Sequence, residues 1–182
     1  MSGVWYNISQ KSYECGGTMC CTSVLSWLVM ILECEHPPIL DEETMTSLLS
    51  FANQLHKKIQ VKQIQRQMLN LEELFAFVNC PIDMSLIFFH GHNQNSDSKD
   101  LPEISNLIAF SDLEDKLSSK TGYLLTCNNH TIGLYCDEQQ NVFFFDSMPA
   151  CILKLSRGGL CAQLEKTFGE IMEFNLCSVN LL

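Results

Sequence analysis

From Cys20 to Glu33 nearly every position is apolar, and Val24, Leu25, Trp27, Leu28, Val29, Ile31 and Leu32 occupy all sides of a helical turn. A helix apolar on every side is a buried one, and Pro37-Pro38 prevents its continuation. Asp41-Glu42-Glu43 then sets acids at the start of a second helix, where its dipole favours them. Met45, Leu48, Leu49 and Ala52 follow at helical spacing to about His56. Lys57 to Arg66 reads as a charged, solvated face, and Asn70 to Val78 as a further helical segment with an asparagine cap. Met84 to His90 predicts a strand, and 91–100 a loop opened by Gly91. Ser111 to Leu117 predicts a short helix with a capping box from Ser111 to Glu114.

Strands dominate the chain beyond Leu117. Tyr123–Thr126, Thr131–Cys136 and Val142–Phe145 predict three, the last two joined as a hairpin through Asp137–Asn141. Ala150–Leu155 predicts a fourth strand and Glu173–Leu181 a last one. Between them Gly159–Met172 predicts a helix with Leu160, Leu164, Phe168 and Ile171 on one face. Residues 1–19 lack helical periodicity. Helices first and a mostly antiparallel sheet afterwards is an α+β pattern, read here as one domain over 1–182.

Composition narrows the classes. The chain has 182 residues, room for one domain with a sizeable core. With 46% hydrophobic and 18% charged residues it is not a disordered chain. A net charge of -10 argues against a nucleic-acid partner and fits a solvated acidic surface. The longest apolar run, Val24 to Leu32, is far short of a bilayer span, so no membrane partner and a soluble chain are expected. Ten cysteines raise the question of disulfides. The length makes staples unnecessary, several cysteines lie in apolar runs, and Met1-Ser-Gly-Val-Trp5 lacks the marks of a signal peptide. A reducing compartment, cytoplasm or nucleus, is expected. No CxxC pair occurs and His90-Gly91-His92 has no third ligand at sensible spacing, so no metal site is expected.

The chemistry gathers at three places. His130 opens one strand and Asp146 closes the next, so a hairpin through 137–141 brings an imidazole and a carboxylate together at its open end. Cys20 lies where the Gly16-Gly17 lead-in turns into the buried helix, and a helix N-terminus favours a thiolate. Cys21 is the nearest rival and Cys15 the third. A nucleophile, a base and a group that orients the base make a cysteine hydrolase. Asn7, Ser9 and Gln10 lie upstream; the amide of Gln10 is chosen as oxyanion donor. No cofactor is needed.

These residues also carry a resemblance. Gly17-Thr18-Met19-Cys20 leading into a helix, a Leu-Leu-Thr strand, His130-Thr-Ile-Gly-Leu-Tyr and Phe144-Phe145-Asp146-Ser147 resemble the cysteine-protease domain of the herpesvirus large tegument protein and its cellular and bacterial relatives, which are papain-like deubiquitinases. The resemblance implies a papain-like fold with the nucleophile helix packed on the sheet. It also implies cleavage after the C-terminal glycine of ubiquitin or a ubiquitin-like protein, with ubiquitin or polyubiquitin chains as partner, and a monomer is expected. By position, Cys20 resembles the family nucleophile, Gln10 the oxyanion glutamine and Asp146 the family aspartate. The family histidine follows that aspartate by two positions, where this chain has Met148, and Met19 stands where many relatives carry glutamine. His130 instead fits the usual papain-like order of cysteine, histidine, then aspartate or asparagine. The alternatives are a catalytically inactive ubiquitin-binding relative and another papain-like acyl-transfer enzyme or deamidase.

Overall fold

Two-residue alternation of buried side chains builds one sheet with a separate apolar layer on each face. The computed structural model describes residues 2–33, 35–64, 89–92, 108–109, 112–127, 129–156, 158–169 and 173–180. Its strands are β1 (Ser2–Trp5), β2 (Phe89–His92), β3 (Ile108–Ala109), β4 (Thr121–Cys127), β5 (His130–Cys136), β6 (Val142–Asp146), β7 (Cys151–Leu155) and β8 (Glu173–Val179). They lie in the order β1-β7-β6-β5-β4-β8-β2-β3. All neighbours are antiparallel except β2 and β3. The helices are α1 (Cys20–Glu33), α2 (Glu42–Ile64), α3 (Leu113–Lys116) and α4 (Leu160–Phe168).

On one face Leu124, Phe143, Phe145, Ile152 and Val179 meet α1, with α2 behind it. On the other, Ile132, Leu134, Phe144, Leu153 and Leu176 meet Leu113 of α3 and Leu160 and Leu164 of α4. The helix α1 is buried on both sides, as its all-round apolar sequence requires. Its buried serines bond back to carbonyls one turn earlier: Ser23 Oγ donates to Met19 O, just before the helix, and Ser26 Oγ to Thr22 O, at 2.9 and 2.7 Å. Trp27 is fully buried, its ring centroid 5.2 Å from that of Phe145. The helix approaches so closely because Gly133 and Gly122 have no side chain. A Cβ at Gly133 would lie 2.8 Å from the Trp27 ring, and one at Gly122 would lie 2.7 Å from Leu28.

Several sequence expectations change. The strand β1 has no counterpart in the sequence pattern: its four residues are all exposed, so no buried face marks it. The helix α2 runs on to Ile64 rather than stopping near His56, because Leu55 and Ile59 keep its apolar stripe buried. Gly91 and His92 continue β2 rather than opening a loop. The Ser111 half of the expected capping box lies outside the described residues, while Glu114 serves another helix. Its carboxylate accepts the backbone N–H of Leu160 at 2.8 Å and that of Gly158, which caps α4. The segments predicted over 70–78, 84–88 and 93–100, with Ser111 and Ile171, lie outside the described residues.

Gly133→Ala is expected to destabilise the protein by about 1–3 kcal/mol, the usual cost of overpacking a close-packed core. A urea melt with an unchanged midpoint would contradict the tight seat of Trp27 on β5.

Candidate active site

Cys20 is the first residue of α1 and is 8% exposed. The first turn carries no acidic residue, so the positive end of the helix dipole acts unopposed on the sulfur. His130 is the first residue of β5, paired across the tight β4–β5 connection with Cys127. Asn129 makes that connection at φ 63°, a left-handed conformation that asparagine tolerates. Asp146, 6% exposed, ends β6.

His130 Nε2 and Asp146 Oδ1 are 2.9 Å apart. The two residues are not directly opposed, as a simple hairpin reading expects. The ladder matches Gly133 with Phe145, so counting on sets Ile132 against Asp146 and His130 one diagonal step away, on the same face. Asp146 Oδ1 also accepts the backbone N–H of Met148 at 3.0 Å. The Phe168 ring of α4 lies 5.9 Å from the imidazole, centroid to centroid, and shields its bond to the carboxylate. Nδ1 of His130 is buried with no hydrogen-bond partner, which leaves it open to the thiol side.

Electrostatics join the three. Burial alone would lower the His130 pKa, but Asp146 and then Cys20 outweigh it and push the imidazole up to about 9. Burial likewise works to raise the Cys20 thiol. The adjacent His130 ring and then the Thr131 backbone outweigh it and bring the thiol below its ordinary value. A lowered thiol beside a raised imidazole favours a thiolate–imidazolium pair. Cys21 behaves oppositely: desolvation, with Cys20 and Cys177 nearby, pushes it up to about 12. Cys15 is held on α2, its N–H on Asn53 Oδ1 at 3.1 Å and its sulfur 3.7 Å from Gln60 Oε1. All the described cysteines are free thiols.

Gln10 opens a 3-10 turn over Gln10–Ser12 and is fully buried. Its Oε1 accepts the Ser147 hydroxyl at 2.6 Å, and its Nε2 is buried with no partner. Asn7, by contrast, is exposed, with its backbone N–H on Glu42. The segment between Gln10 and Cys20 folds back on itself at Gly16, where a Cβ would lie 2.2 Å from the Gln10 carbonyl oxygen. Sequence reasoning gives no role to Ser147, Phe168 or the backbones of Thr131 and Met148. Each acts through a tertiary contact that no periodicity marks; only the adjacency of Ser147 to Asp146 is visible in the sequence. A cleft of about 640 Å³ lined by Ile31, Pro37, Pro38, Tyr135 and Phe143 opens at the opposite end of α1, roughly 16 Å from Cys20 by helical rise.

No family model and no curated protein matches the chain. Among solved structures it is similar to the ubiquitin-specific protease encoded by murine cytomegalovirus tegument protein M48, solved in complex with a ubiquitin-based suicide substrate. The TM-score is 0.70, with 15% identity, over 98% of this chain and 85% of that one. The likeness is one of fold: mixed helices on an antiparallel sheet.

The geometry has two measurable outcomes. Because His130 lowers the Cys20 pKa, iodoacetamide alkylation of Cys20 is expected to begin at lower pH than that of Cys161, whose thiol burial raises. His130→Ala should move the rise in the Cys20 rate to higher pH, followed by mass spectrometry; an unmoved profile would refute the ion pair. Gly16→Ala should cost about 1–3 kcal/mol. Gly17→Ala, whose Cβ would meet nothing within 4 Å, should change stability by under about 0.5 kcal/mol in the same melts.

Proposed function

We propose that the chain is a papain-like cysteine-type deubiquitinase that hydrolyses the bond after the C-terminal glycine of ubiquitin. One observation carries the reading: His130 Nε2 lies 2.9 Å from Asp146 Oδ1 while its Nδ1 is buried and unpartnered beside Cys20, the first residue of α1, and the three groups shift one another's pKa accordingly. The fold likeness to a protease solved on a ubiquitin-based substrate supports the substrate class. Cytoplasm or nucleus, where thiols stay reduced, is the proposed compartment.

In the mechanism the Cys20 thiolate adds to the scissile carbonyl carbon. The carbonyl π electrons move to oxygen, and the oxyanion takes hydrogen bonds from Gln10 Nε2 and the Cys20 backbone N–H. The His130 imidazolium gives its Nδ1 proton to the leaving lysine amine as the C–N bond breaks, which leaves a thioester. Water then adds with His130 as base, and collapse returns the thiolate and a free ubiquitin carboxylate. Asp146 holds Nε2 throughout and keeps the ring in register.

Met148 does not weaken this reading. The carboxylate uses only its backbone N–H, which any residue but proline supplies, and the imidazole arrives from the neighbouring strand.

A ubiquitin suicide probe is expected to label Cys20 in the unmodified protein and in Cys21→Ala, and to leave Cys20→Ala untouched. His130→Ala should lower turnover of a fluorogenic ubiquitin amide by about 10²-fold or more. Absence of labelling and turnover in the unmodified protein would sink the enzyme reading, and full turnover by His130→Ala would remove His130 as base.

A further inference from the structure

Asp146 and Ser147 are consecutive, yet their side chains serve different halves of the site. Asp146 holds the base, and Ser147 holds the amide proposed to meet the oxyanion. Ser147 is fully buried, and its contact with Gln10 is double. The hydroxyl donates to Gln10 Oε1 at 2.6 Å, while the Ser147 carbonyl accepts the Gln10 backbone N–H at 3.1 Å. The turn 147–150 is itself fixed at its other end, where the Tyr6 N–H donates to Ala150 O at 2.9 Å. Ala150 stands at φ 45°, a conformation that costs a non-glycine residue about 1–2 kcal/mol. The segment 6–10 and the turn 147–150 are thus joined at both ends.

A buried primary amide has two faces. A hydrogen bond to Oε1 fixes the plane and decides which way the NH2 group points. In Gln10 the oxygen is satisfied and the nitrogen is not. Leaving a buried donor unpaired is costly, and a catalytic role is one physical reason such a group is kept.

We infer that Ser147 is a positioning residue that locks the Gln10 amide with Nε2 facing the oxyanion formed on attack by Cys20. The inference rests on the reading of Gln10 as oxyanion donor. Ser147 touches neither thiol nor imidazole in any described hydrogen bond, so its effect on catalysis passes through Gln10.

The test is a double-mutant cycle on Gln10→Ala and Ser147→Ala, read by turnover of a fluorogenic ubiquitin amide and, separately, by iodoacetamide alkylation of Cys20, which forms no oxyanion. Ser147→Ala is expected to lower kcat about tenfold or more with little change in KM, and by no more than Gln10→Ala, for which the loss of one donor predicts about 10²–10³-fold. The double variant should be no slower than Gln10→Ala alone. Alkylation rates should stay level in all three, which also shows that the thiol site is folded. Additive losses, an unchanged kcat in Ser147→Ala, or alkylation falling in parallel with turnover would overturn the inference. If the unmodified protein alkylates rapidly but turns over no ubiquitin amide, the substrate reading alone falls. The lock is then read from the ¹⁵N side-chain amide signals of Gln10. They should be one slowly exchanging pair in the unmodified protein and averaged or exchange-broadened in Ser147→Ala; identical signals in both would overturn it.

Discussion

The contact between α1 and the sheet sets every distance in the site. Trp27 against Phe145, with bare backbone at Gly133 and Gly122, brings the helix as close to the strands as side chains allow. A single neutral hydrogen bond contributes about 1 kcal/mol net, whereas burying an aromatic side chain of this size contributes several times that. The apolar contact therefore holds Cys20 over the end of β5, and the hydrogen bonds around His130 choose orientation only. The helix has no polar face to compete for solvent, so it has one seat.

That seat is legible in the sequence. An all-round apolar run stopped by two prolines has one physical meaning, and both ends of α1 fall where the pattern changes. The strands bearing His130 and Asp146 are legible because short β-branched and aromatic runs are bounded by Asn128-Asn129 and by the hairpin residues 137–141. The strand β1 is not, since an edge strand with four exposed residues buries nothing and leaves no alternation. The extension of α2 past His56 is hidden by the lysines, whose charge says nothing about backbone while Ile59 still points inward. Three residues of the candidate site, Cys20, His130 and Asp146, can be named from local context. The diagonal register between the last two, and the roles of Ser147 and Phe168, cannot, because they are set by how the strands slide and how α4 lies across them.

The carboxylate and the imidazole of the site come from different strands. Asp146 Oδ1 faces two donors, the imidazole of His130 and the backbone N–H of Met148. A carboxylate anchored in this way accepts an imidazole from whichever adjacent strand end carries one, provided the ring meets the same oxygen. The position of the base along the chain is then freer than its position in space.

Gln10 and Ser147 are 137 positions apart. A growing polypeptide exposes Cys20 long before the ribosome has made the imidazole or the carboxylate. Closing so long a loop carries an entropic cost that slows folding, and on the proposed reading the sulfur has neither imidazole nor carboxylate beside it while the chain is unfinished. The environment of Cys20 is then a property of the closed chain, not of the segment that carries the sulfur.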